Sequence, residues 1–159
     1  MKRRPFQTNY AGAIYGTILS MAVITTVSKD PGLGPMAIAG WTAATAFVFF
    51  IAHVYADIVA AGFAQPMEAK DLAKAACREE WPLVQGSMIP VAAMFLAPLG
   101  IVSDENATYA AVYVGVCALF LAGLFIGSRE DLGWVRMLMI GSINALIGLM
   151  IVGLKIFVH

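Results

Sequence analysis

The chain has 159 residues, of which 60% are hydrophobic and 13% charged, with ten basic and ten acidic side chains. Its mean hydropathy is +0.81. Soluble domains carry about a quarter of their residues as charges, so this composition excludes an ordinary soluble fold. The balanced charge offers no basic surface for nucleic acid.

The charges gather between long uncharged runs, and a run of about 18 or more apolar residues reads as a transmembrane helix. Five such runs occur, at about 10–28, 36–58, 82–103, 107–127 and 134–156. They predict an all-α, polytopic helical bundle forming a single transmembrane domain over 1–159, with no room for a soluble domain.

In the first run, Gly12, Gly16 and Ser20 recur every fourth position, giving a strip where another backbone can come close. A basic start before an apolar run also resembles a signal peptide. The run exceeds a usual h-region of about 7–15 residues, and "TTVSKDPG" offers no small-residue cleavage site, so a retained helix is expected. "SKDPGLGP" then makes an outer turn.

The second run ends in "FIAHVYADIVAAG", which places His53 and Asp57 one helical turn apart in apolar surroundings. Residues four apart share a helix face, so a hydrogen bond between them is expected, with Tyr55 pointing elsewhere. Ionisable residues inside a membrane are functional candidates because hydrocarbon penalises them. The competing reading is that Asp57 only ends the span at the headgroups while His53 bonds a nearby carbonyl.

The long connection 64–82 is expected to form a short amphipathic helix at the cytoplasmic interface, about 66–80, started by Pro66. Leu72, Ala73, Ala76 and Trp81 make its narrow apolar stripe. The third run contains Pro90 and Pro98. Pro90 removes the donor that would satisfy the carbonyl of Gly86, and in a membrane that carbonyl needs a side chain or water. "SDEN" forms an outer turn and "SREDLG" an inner one. Gly115, Gly123 and Gly127 in the fourth run, and Gly141, Ala145, Gly148 and Gly153 in the fifth, mark further packing faces. Asn144 lies deep in the fifth run, where an amide often joins helices. Lys155 is expected to snorkel to the headgroups at its outer end, near His159.

Eight of the ten basic residues, Lys2, Arg3, Arg4, Lys70, Lys74, Arg78, Arg129 and Arg136, fall on one side of this arrangement. Lys29 and Lys155 fall on the other. The positive-inside bias therefore puts the protein in the cell membrane with its N-terminus cytoplasmic and its C-terminus outside.

Cys77 and Cys117 sit at different depths and cannot be expected to pair. No Walker, GxGxxG, HExxH, GxSxG or CxxCH sequence is present, so no cofactor, metal or catalytic residue is expected. The polar residues that could converge on the inner side are His53, Asp57, Glu79, Glu80 and Tyr15.

"YGTIL" at 15–19, "HVYAD" at 53–57, "EEWPLV" at 79–84 and "GLKIFVH" at 153–159 resemble a family of small, uncharacterised bacterial multi-pass membrane proteins. The resemblance implies a five-span shape and no particular activity. The leading expectation is a small ion or proton channel or transporter. Its pathway would involve His53, Asp57, Glu79, Glu80, Tyr15 and Asn144, with Gly12, Gly16, Ser20 and Pro90 in helix packing. Five helices leave little room for a pathway, which points to a homo-oligomer in the lipid bilayer. The alternative is a noncatalytic scaffold or assembly subunit binding other membrane proteins. A lipid-modifying enzyme using the inner carboxylates comes last.

Overall fold

The structure is a computed structural model and describes residues 9–62, 68–130 and 132–157. Lys2, Arg3, Arg4, Pro66 and His159 lie outside the described residues. Five helices follow in chain order: α1 (Tyr10–Val27), α2 (Pro35–Gly62), α3 (Ala69–Met94), α4 (Asp104–Arg129) and α5 (Trp134–Phe157). Among the described residues there is no strand. Four of the helices, α1, α2, α4 and α5, are long and apolar enough to cross a membrane. At 1.5 Å per residue even the shortest, α1 with 18 residues, approaches the roughly 30 Å hydrocarbon core. The protein is a multi-pass membrane protein on this ground.

Helix α1 starts where Asn9 caps it: the Asn9 side-chain oxygen accepts from the Gly12 N–H at 2.9 Å. Only a few residues separate α1 from α2 and α4 from α5, and each pair packs together as an antiparallel hairpin. In the second hairpin Gly123 meets Gly141, where an added Cβ would come 2.5 Å from the facing Cα. Gly153, expected to pack, faces open space instead.

The main departure from the sequence expectation is α3. The stretch 69–80 is not a separate helix at the interface. It continues through Pro82 into the apolar residues as one helix ending at Met94. Its stripe explains the continuity, because Ala76, Glu80, Leu83, Ser87 and Pro90 are all buried along one face. Leu72 and Ala73 are half-buried on the same side, while Trp81 is 51% exposed. The apolar face thus packs on protein rather than lying on lipid. At the other end, α3 stops short of the predicted limit near residue 103. Pro98 has no N–H to continue the ladder, and the chain turns through Gly100, whose φ of 72° is left-handed. Its N–H donates to the Ala97 carbonyl at 2.8 Å.

Helix α3 packs against α1, α2 and α4. It runs parallel to α1: Asn9 meets Glu79 and Glu80, Ala13 meets Gly86, and Ser20 meets Ser87. A Cβ on Gly16 would run into the Leu83 carbonyl, and one on Gly86 into the Ala13 carbonyl. Gly12, by contrast, faces only its own cap Asn9, so the close approach uses Gly16 and Ser20 but not the first member of the expected strip. Hydroxyls bridge the two backbones. Ser20 Oγ lies 3.0 Å from the Ser87 carbonyl, and Ser87 Oγ lies 3.0 Å from the Gly16 carbonyl. Thr17 Oγ1 lies 3.1 Å from the Gly86 carbonyl, the group deprived of its own donor by Pro90. A side chain on the neighbouring helix therefore supplies what the helix itself lacks.

Candidate functional site

The polar residues of α2 and α3 meet at the end of the bundle where α1 begins. Burial of the α3 stripe carries Glu80 inward until it is only 8% exposed. There its carboxyl group lies beside the side chain of Asp57 on α2, with His53 and Glu79 also close enough to act on it electrostatically. His53 and Asp57 are both half-buried. Tyr55, between them in sequence, is 67% exposed and turned away.

The expected hydrogen bond from His53 to Asp57 is not the one formed. His53 Nδ1 lies 2.8 Å from the Phe49 carbonyl, one turn back on its own helix. A carbonyl only accepts, so Nδ1 carries the hydrogen. Tyr15 of α1 packs on the same ring, with centroids 5.6 Å apart. Phe50 and Trp81 meet edge to face at 5.9 Å and fix α2 against α3 beside the carboxyl groups.

Asn9 completes the group, and nothing in the sequence reading singled it out. Its NH₂ reaches the Glu79 carbonyl at 3.3 Å and Glu80 Oε1 at 3.4 Å. Four of the expected residues, His53, Asp57, Glu80 and Tyr15, therefore come together. Glu79 joins through its backbone carbonyl and its charge, with its side chain on the exposed side of α3.

Asn144 does not join. It belongs to α5, which packs on α4 and α1 but touches neither α2 nor α3. Its amide nitrogen is buried without a hydrogen-bond acceptor among the described residues.

Glu80 lies in the charged first part of α3, ahead of the apolar stretch. Burial, followed by the charge of Asp57, pushes its carboxyl above the ordinary carboxylate range, with His53 pulling the other way. A neutral carboxyl can donate to a carboxylate and an ionised one cannot, so a hydrogen bond between Asp57 and Glu80 forms only when one of them holds a proton. Among the described residues no three His, Cys, Asp or Glu side chains converge as a metal site.

No protein-family model, curated protein or solved structure matches this chain. The resemblance to small bacterial multi-pass proteins thus extends only to the architecture, which has helices long and apolar enough for membrane spans.

Proposed function

We propose that the protein is a small proton channel or transporter whose proton-binding site is formed by Asp57 and Glu80, with His53 beside them. The observation that carries this reading is the carboxyl pair across α2 and α3, with Glu80 buried and its carboxyl raised above the ordinary range by that burial and by Asp57 beside it. Two carboxyl groups and an imidazole within reach of one another can pass a proton between them. The protein would sit in the cell membrane with this end cytoplasmic, as the basic residues Lys70, Lys74, Arg78, Arg129 and Arg136 favour. Helix α3 would be the fifth crossing, because it runs parallel to α1 in matched register.

Purified protein in liposomes tests the activity. A proton gradient should collapse faster than in empty vesicles, and sodium or potassium gradients should not. Permeability no greater than that of empty vesicles would remove the reading.

A further inference from the structure

The proton site proposed above depends on how Glu80 is held, and the structure shows one neutral side chain placed to hold it. All three polar valences of Asn9 are committed. Its oxygen accepts from the Gly12 N–H at 2.9 Å and closes the first turn of α1. The two hydrogens of its NH₂ then face the Glu79 carbonyl and Glu80 Oε1. Flipping the amide would set its oxygen against an acceptor and its NH₂ against an N–H. The helix cap therefore fixes the orientation that aims a donor at Glu80.

Resting on the reading of Asp57 and Glu80 as a proton site, we propose that Asn9 is a positioning residue for that site: its amide orients the Glu80 carboxyl and favours its ionised form. A donor aimed at a carboxylate stabilises the charge, and the positive end of α1 acts in the same sense. The groups facing Glu80 that oppose or assist are Asp57 and Glu79, which disfavour its ionisation, and His53, which favours it. Asn9 adds to the favourable side without titrating. It also ties the start of α1 to the protonation state of the pair, because the same amide serves the cap and the carboxyl.

Two substitutions separate the cap from the carboxyl contact. Serine and aspartate cap helices about as well as asparagine, so Asn9→Ser keeps the cap and loses the donor to Glu80. Asn9→Asp keeps the cap, loses the donor and adds a negative charge. The measurement is the infrared C=O band of the protonated carboxyl in reconstituted protein, followed from pH 4 to 9 and assigned to Glu80 by its loss in Glu80→Gln. Asn9→Ser should move the Glu80 titration to higher pH by about half a unit to one unit, the size expected for one charge-assisted hydrogen bond. Asn9→Asp should move it further in the same direction.

An unmoved or downward titration in either variant overturns the role of Asn9. The infrared titration is independent of transport. If it shifts as expected while the wild type moves no protons, the role of Asn9 stands and the transport reading falls. If the wild type moves protons and the titration stays put, the reverse holds.

Discussion

Glu80 is the residue on which sequence and environment disagree most. A glutamate beside another glutamate and before a tryptophan looks like a solvated helix end, yet it is buried against α2. Because burial and Asp57 favour its protonated form, folding takes up a proton there. The stability this brings is full below the ordinary carboxylate range and is lost as pH rises through the raised value. Glu80→Gln, which stays neutral at every pH, should therefore raise the unfolding temperature in micelles at pH 8 by a few degrees and change it little at pH 4. An equal shift at both values would mean that charge is not the cause. His53 and Asp57 were legible because ionisable residues stand out in an apolar run. Their partners were less so. Asn9 is an unremarkable polar residue before a span, and its contacts with residues 79 and 80 arise only from the parallel packing of α1 on α3.

At the scale of elements, the spans were legible from composition, and the need to satisfy the Gly86 carbonyl was legible from Pro90. That Thr17 meets the need was not, because the partner lies 69 positions away in sequence. Its single hydroxyl hydrogen is shared between the Gly86 and Ala13 carbonyls. Thr17→Val should cost about 0.5–2 kcal/mol by leaving the former unpaired. In a Pro90→Ala background, where residue 90 again has an N–H to offer, the same change should cost less. Unfolding of the four proteins in detergent gives the cycle, and equal costs would break the link between Thr17 and Pro90. Gly16→Val drives a side chain into the Leu83 carbonyl and should be far more damaging than Gly153→Val, which meets nothing in its own chain. Similar losses of folded yield would contradict the α1–α3 contact. The single helix α3 was misread as two elements because its charged first half and apolar second half differ in composition, while its buried stripe runs unbroken through both.

For the whole molecule, alternation of the five helices puts residues 10 and 157 at opposite ends. An activity reporter fused after His159 should be silent if it works only in the cytoplasm, and signal there would mean that the span count or the orientation is wrong. The pairing of α2 with α3 at one end forms the proposed proton site, and Asp57 is the member whose charge can be removed with least change of shape. The deciding measurement is proton flux from liposomes between pH 5 and 8 for wild type and Asp57→Asn. Wild type should conduct with a rate that depends on pH, and Asp57→Asn should lose most of the rate together with that dependence while still inserting and folding. Equal rates and equal pH profiles in the two proteins would contradict the claim that the carboxyl pair carries the proton.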